Sequence, residues 1–444
     1  MAIASGSSGG LLQKNGQTKE IPPALKQVLE FPLPTFEDVS LAMYRTRNRI
    51  RNTECTLSDA LSELTGCELY LKKEYKQRTG SFKERGARNA LLLLSAEQRE
   101  RGVVAASAGN HALGLAWHGR DIGIPVTVVM PASAPLTKVT KCKALGARVI
   151  QHGDDIGEAK AYADEVYVKG EGLRYVNGFD HPHIIAGQGT IGLEMLEQVP
   201  DMDAVIVPVG GAGLIAGIAL AIKTLQPNVL VIGAEPKLCA SFCAALAAGH
   251  PVRVDMQSPT LADGLAVPCV GPHSFAVART LVDGMVQVSE RDIGLSVLRL
   301  VEHEKLVQEG AGAAGLAALL SGQLPELRGK KVVIPLCGGN IDTTVLGRVI
   351  ERGLAADGRL VRFSAIVSDR PGGIAGLCKI VAEEGASIKD IVHERAWLVD
   401  AVAHVQVFMV VETTGRDHVE RLRDRLEQEM NFKGPITSWG QVSL

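Results

Sequence analysis

From about residue 40 to 350 the chain alternates short apolar runs with longer helical stretches, and this order constrains the fold more than any other feature. The short runs fall at 68–72 (ELYLK), 103–106, 125–130 (PVTVVM), 204–209 (AVIVPV), 229–234 and 331–336. Helical segments at 84–94, 110–122, 188–198, 213–225 and 291–308 lie among them. Strands that are apolar on both sides need cover on both faces. The pattern therefore predicts an α/β fold, a mostly parallel sheet with helices on each side. Ligands of such sheets sit beyond the carboxyl ends of strands, which directs attention to the loops that follow apolar runs.

The last 84 residues read differently, as βαββαβ. A strand at 361–369 leads through Pro371-Gly372-Gly373 into a helix ending near Ala386. Strands at 387–397 and 400–412 follow, then a charged helix from Asp417 to Met430 and a short strand near Pro435 to Trp439. The boundary is expected near Asp357-Gly358. Residues 1–20 are Gly/Ser-rich and read as a flexible leader, without the basic-then-apolar order of a secretory signal. Lys and Arg number 47 against 49 Asp and Glu, so no basic surplus is available for nucleic acid. The longest apolar run, Leu214 to Ile222, is too short to span a bilayer. Eight scattered cysteines with no Cys-x-x-Cys pair argue against a disulfide framework and a structural zinc site. A soluble cytoplasmic protein, with no membrane or nucleic-acid partner, is expected.

Four loops carry chemistry. In Val207-Pro208-Val209-Gly210-Gly211-Ala212-Gly213-Leu214 an apolar strand runs through small residues into an apolar helix. Converging backbone N–H groups and a helix N-terminus favour an anion there, and phosphate is the natural guest. The same segment fits G-x-G-x-x-A, with Glu235 placed 24 residues after Gly211, so by itself it does not exclude a dinucleotide site. In Arg78-Thr79-Gly80-Ser81-Phe82-Lys83-Glu84-Arg85-Gly86-Ala87, one lysine opens a helix behind a Gly-Ser turn. The helix dipole and partial burial would lower its pKa, and a neutral amine can form a Schiff base with an aldehyde. Ser107-Ala108-Gly109-Asn110-His111 forms a second anion-tolerant turn suited to a carboxylate. Its histidine is either an acid/base or a packing residue. In Cys337-Gly338-Gly339-Asn340 the thiol either faces a ligand or is buried as a small hydrophobe.

Taken in this order, the segments resemble the serine/threonine dehydratase family, pyridoxal-phosphate enzymes of fold type II (tryptophan synthase β-like). Ser81 to Gly86 matches the family's S-F-K-x-R-G, Ser107 to His111 its S-A-G-N-H, Gly210 to Gly213 its glycine-rich phosphate loop, and Cys337 to Asn340 its C-G-G-N. Gly187-Gln188-Gly189-Thr190 after Phe179-Asp180 also looks like a family segment. The resemblance implies a catalytic region over 21–355 built from two open twisted α/β domains, with a small subdomain of about 75–175 inserted in the large one. The tail, 360–444, resembles an ACT domain, a regulatory module that typically binds amino acids between copies. A homo-oligomer, dimer or tetramer, is implied.

By family position, Lys83 would hold pyridoxal 5'-phosphate as an imine and act as the catalytic base. Gly210, Gly211, Ala212, Gly213 and Leu214 would bind its phosphate. Asn110 would meet the ring's 3′-oxygen, Phe82 would lie against the ring and Cys337 would face the pyridine nitrogen. Ser107, Asn110 and His111 would position the substrate carboxylate, and Asp263 would meet the substrate hydroxyl or else be a solvated loop acid. The implied reaction converts L-threonine or L-serine to a 2-oxo acid and ammonia by α,β-elimination. Departures from the pattern are Ala212 for a glycine, Glu54 for the proline of Thr-Pro and Leu113 for a glutamine. Serine racemases resemble this chain too, but carry a serine at the position of Ala108 and an aspartate at that of Ser241. Elimination is therefore expected over racemisation. Glu235 matches one ligand of the racemase cation site and leaves a monovalent cation open; no other metal is expected. A nicotinamide oxidoreductase and an amino-acid sensor remain as readings from other classes.

Overall fold

The structure, a computed structural model, describes residues 21–256, 258–395, 403–430 and 436–438. The leader expected at 1–20, the ends of the strands expected at 387–397 and 400–412, and both ends of the strand expected near Pro435 to Trp439 fall outside these residues. The chain divides into two compact units. One runs to Asp342 without Gly294–Leu298; the other takes Gly294–Leu298 with Thr343 onward.

In the first unit the main sheet has six strands. Their order is Cys55–Leu57, Glu68–Lys72, Lys331–Pro335, Ala204–Pro208, Leu230–Pro236 and Gly284–Val288. All pair in parallel except the edge strand Cys55–Leu57. Val205, Val207, Val231 and Val333 are buried in one cluster with Met195, Ile215 and Ile218 from the covering helices Pro182–Gln198 and Gly213–Leu225. Those two helices approach closely at Gly217, where a Cβ would stand 2.3 Å from the Ile185 carbonyl oxygen, so only glycine fits. A second sheet is parallel throughout, in the order Arg148–Gln151, Val126–Met130, Val103–Ala106, Arg174–Tyr175. Its strands lie between residues 103 and 175.

The second unit opens with the helix Thr343–Ala356. Its antiparallel sheet follows the order Ser387–Glu394, His404–Glu412, Leu360–Ser368, Ile436–Ser438. Alternate residues Val361, Phe363, Ala365, Val367 and Val405, Val407, Met409, Val411 meet Leu377, Val381, Leu422 and Leu426 of the helices Gly373–Glu383 and Arg416–Met430. The period of two in these strands is what buries one face only.

Two helix limits differ from the sequence pattern. The helix expected at 188 starts at Pro182, with His181 accepting from the His183 N–H as its cap. Proline at the first helical position suits a helix start, and the glycines at 187 and 189 masked that turn. The helix expected to reach 308 stops at Glu304, because Lys305 turns left-handed with φ 55°. Among the described residues no helix is long and apolar enough to cross a membrane.

Candidate active site

Lys83 begins the helix Lys83–Leu92, and the segment before it is stitched to the end of the strand Lys331–Pro335. Phe82 N–H donates to the Cys337 carbonyl (2.9 Å), Gly339 N–H donates to the Gly80 carbonyl (3.0 Å), and Ser81 forms a bridge with Gly338. The lysine and the C-G-G-N turn are thus one local structure. The half-buried Lys83 Nζ donates to the Gly178 carbonyl at 2.6 Å. Burial pushes its amine down from the usual 10.5 to about 8, while the charge of Glu309 acts in the opposite direction.

The residue after Gly178 ties the lysine to the glycine turn. Cβ atoms on Gly211 and Gly213 would stand 2.3 Å from the Phe179 ring and 2.2 Å from its carbonyl oxygen, so small residues are required at both. Asn177 and Asp180 hold this loop. Asn177 Oδ1 accepts from the N–H groups of Phe179 and Asp180, and Asp180 accepts from Ser274 N–H (2.8 Å) and from His273 Nδ1 (3.1 Å). A Cβ on Gly210 would touch Leu265, and one on Gly264 would lie 3.1 Å from the Ala311 methyl and 3.9 Å from Glu309 Oε1. This places the Asp263-Gly264-Leu265 turn beside both the glycine turn and Glu309. Asp263 itself is exposed and accepts from Lys138 at 3.4 Å.

The Ser107–His111 turn closes the group. Asn110 donates to Glu309 Oε1 (2.7 Å) and accepts from Asn340 Nδ2 (2.8 Å). His111 is buried with Nε2 3.0 Å from the Val176 carbonyl. Burial first, and the Lys83 charge second, hold it down at about 3, so its ring is neutral. Ser107 Oγ accepts from Gly109 N–H at 3.3 Å. Cys337 is buried, its thiol donating to the Pro335 carbonyl (3.3 Å), and burial pushes it well above the usual thiol range. It is a neutral thiol at neutral pH.

A family model described as pyridoxal-phosphate dependent enzyme matches residues 46–338. The chain belongs to this family. It is 46% identical to an L-threonine ammonia-lyase of Thermotoga maritima over 388 residues, 87% of this chain and 96% of the relative. The processed form of threonine deaminase isoform 2 from Solanum lycopersicum is similar in structure at a TM-score of 0.69 with 34% identity, covering 77% of this chain and 99% of that one. A serine racemase from Dictyostelium discoideum has a TM-score of 0.65 at 34% identity, covering 70% and 99%.

The residues present fit the family's cofactor. Several buried polar atoms have no hydrogen-bond partner, and these include Thr79 Oγ1, Ser81 Oγ, His111 Nδ1 and both amide atoms of Gln308. Thr79, Ser81 and His111 lie in the loops just described, and Gln308 directly precedes Glu309. Buried polar groups left unpaired in a native fold signal a missing partner. The glycine turn at the N-terminus of Gly213–Leu225 suits a phosphate, and the lowered Lys83 amine suits an aldehyde. Glu235 sits apart from this chemistry. Its carboxylate accepts from Phe242 and Cys243 N–H, both at 3.0 Å, and among the described residues no group of three or more His, Cys, Asp and Glu is placed to hold a metal.

Glu309 and Asn340 are the site residues to which sequence reasoning gave no role. The available signal for Glu309 was an acid directly before the small-residue helix Gly310–Leu320, a position that also suits a negative charge at a helix N-terminus and so pointed to no ligand by itself.

Ala212, which replaces a family glycine, adopts φ 70°. A left-handed alanine costs about 1–2 kcal/mol. Its buried methyl returns about 0.8 kcal/mol, and a glycine there would lose about 0.4–1 kcal/mol through the unfolded chain. Ala212→Gly is therefore expected to leave the unfolding free energy, measured by urea titration, within about 1 kcal/mol of the parent. A larger change in either direction would show that one of these opposing contributions is misjudged.

Proposed function

We propose that this chain is a pyridoxal-phosphate ammonia-lyase acting on L-threonine and L-serine, with its second unit an ACT-type regulatory domain. The supporting observation is the half-buried, pKa-lowered Lys83 amine on the Gly178 carbonyl, one residue from the ring that packs on the glycine turn. The names of the threonine ammonia-lyase and threonine deaminase relatives agree with it.

The cofactor supplies the electron sink that makes the substrate's Cα proton removable. Lys83 Nζ would hold it and would be the base that accepts that proton. Backbone N–H groups from Gly210 to Leu214 would hold the phosphate, with Phe82 beside the ring and an Asn110 N–H available to its 3′-oxygen. Ser107, Asn110 and His111 receive the substrate carboxylate, the neutral histidine doing so without a competing charge. Asp263 stands toward the substrate hydroxyl. Cys337, as a neutral thiol, would face the pyridine nitrogen without the strong proton donation an aspartate pair provides, a setting that would favour elimination. Ala108 has no hydroxyl to return a proton to the opposite face, which separates this site from that of the similar racemases. The βαββαβ unit with its Ser368-Asp369-Arg370-Pro371-Gly372 turn supports amino-acid control, and a homo-oligomer follows from that reading.

Incubation with L-threonine or L-serine, followed by ammonia, 2-oxo acid and chiral analysis, tests the reaction. Ammonia and 2-oxobutanoate or pyruvate are expected; D-serine in excess of pyruvate would overturn it. Titration with isoleucine and valine tests the second unit.

A pH dependence follows from Lys83. Only the neutral amine adds to an aldehyde, so uptake of pyridoxal phosphate by the apoprotein is expected to accelerate about tenfold per pH unit and to level off above about 8. Stopped-flow absorbance measures this. A plateau reached only near the ordinary lysine value would show that the amine is not desolvated.

A further inference from the structure

We propose that Glu309 and Asn340 are positioning residues that lock the Asn110 amide so that a single N–H is left for the cofactor's ring oxygen. This rests on the reading of Asn110 as a cofactor contact and deepens it.

The orientation follows from groups whose polarity is not in question. The Thr79 carbonyl can only accept, so Asn340 must present Nδ2 to it, at 2.6 Å. The same Nδ2 lies 2.8 Å from the Asn110 side chain, which must therefore offer its carbonyl oxygen. That turns Asn110 Nδ2 toward Glu309 Oε1, 2.7 Å away on a buried side chain. A flipped Asn110 would set donor against donor at Asn340 and acceptor against the ionised carboxylate at Glu309. Of the four hydrogen-bonding positions of an asparagine amide, one acceptor site and one donor are thereby fixed, and the remaining donor is one N–H. A phenolic or phenolate oxygen is the acceptor that such an N–H suits.

Glu309 is also positioned to do little else for the fold. Its carboxylate accepts no capping hydrogen bond from the N–H groups of the helix Gly310–Leu320. The groups that face it electrostatically are Asp263, Lys83 and Cys337 from the loops of the site, and Lys138 from the helix Leu136–Ala144. Burial and Asp263 push its carboxyl up to about 7.

The test is a double-mutant cycle read by cofactor binding. Wild-type protein, Asn110→Ala, Glu309→Ala, Glu309→Gln and the Asn110→Ala/Glu309→Ala pair are stripped and titrated with pyridoxal phosphate by fluorescence. The pH course of the visible absorption of each reloaded protein is recorded. Asn110→Ala and Glu309→Ala are each expected to weaken binding about ten- to a hundredfold. The double variant is expected to be no weaker than Asn110→Ala, because the two act as one unit. Glu309→Gln, whose amide oxygen still accepts from Asn110, is expected to recover binding to within a few-fold of wild type. Asn340→Ala gives a second route on a half-buried residue and is expected to weaken binding in the same direction, again without adding to Asn110→Ala.

Additive losses, or full affinity in both Glu309→Ala and Asn340→Ala while Asn110→Ala binds poorly, would overturn the positioning role and leave the Asn110 contact standing. Full affinity in Asn110→Ala would instead overturn that contact, and the proposal with it.

Discussion

Lys83→Met is expected to abolish turnover while making the folded apoprotein more stable at neutral pH. The loss of activity is at least about a thousandfold, since general-base help alone contributes about 10²–10⁴ and the covalent hold on the cofactor goes as well. The gain in stability has the opposite origin. Folding lowers the lysine from 10.5 to about 8, so the unfolded chain binds the proton more tightly and the charged amine opposes folding. That opposition is complete below about 8, where both states are charged. It fades as the pH rises from 8 to 10.5, and it is gone above, where both are neutral. At 1.36 kcal/mol per pH unit, the upper bound is about 3 kcal/mol, less whatever the hydrogen bond to Gly178 contributes. Urea unfolding of both apoproteins at pH 7 and at pH 10 checks this. A Met variant that is less stable at pH 7, or whose advantage grows with pH, contradicts the assignment of the shift to burial. Retained ammonia release would contradict the catalytic role outright.

The destabilised lysine also marks how far sequence could go. Its position in Ser81-Phe82-Lys83 was legible because a glycine turn and a helix start stand side by side in the chain. The strands were legible because most are buried on both faces and read as apolar runs; all six expected runs coincide with strands to within a residue or two. The C-terminal unit was legible for the opposite reason, since its strands alternate and only one face is buried. What stayed hidden depends on pairs distant in the chain. Asn110 and Glu309 are separated by 199 positions, and no local period reports that a carboxylate will meet an amide. The short strands Arg174–Tyr175 and Cys55–Leu57 have too few residues to show any period. The role of Gly211 was only half visible. A phosphate turn explains a glycine there, yet the nearest obstacle to a side chain is the Phe179 ring, supplied from a loop 32 positions away.

Arg85, two residues past the lysine, carries the other large expected effect. Its guanidinium is buried between two carboxylates. It donates to Glu74 through Nε (2.8 Å) and Nη2 (2.7 Å), and to Glu194 through Nη1 and Nη2, both at 2.7 Å. Lys72 completes the group, donating to Glu194 at 2.6 Å and to the Thr53 carbonyl at 2.5 Å. Two cations balance two anions, and Thr53, Thr190 and Gln77 fill remaining positions. Burial alone would push Glu74 up, but the Arg85 charge and hydrogen bonds outweigh it and hold the carboxyl low. Arg85→Ala leaves two buried carboxylates facing one lysine, and breaking such a pair costs about 3–5 kcal/mol. Against a typical stability of about 5–15 kcal/mol, that is a third or more of the total. Arg85→Lys is expected to recover only a minor part, because a point charge cannot span both carboxylates as the planar fork does. The deficit has a sign with pH. With the arginine gone, a buried carboxylate has a folded pKa above its unfolded value, so the variant loses stability as pH rises and regains it toward the ordinary carboxylate range. Urea unfolding of the wild type and both variants at pH 5 and pH 8 measures this, and a deficit that is equal at the two pH values would show that lost packing, not unpaired charge, is the cause. Since the same helix turn carries Lys83, cofactor uptake by Arg85→Ala is expected to fall along with the fold, whereas Lys83→Met uncouples the two.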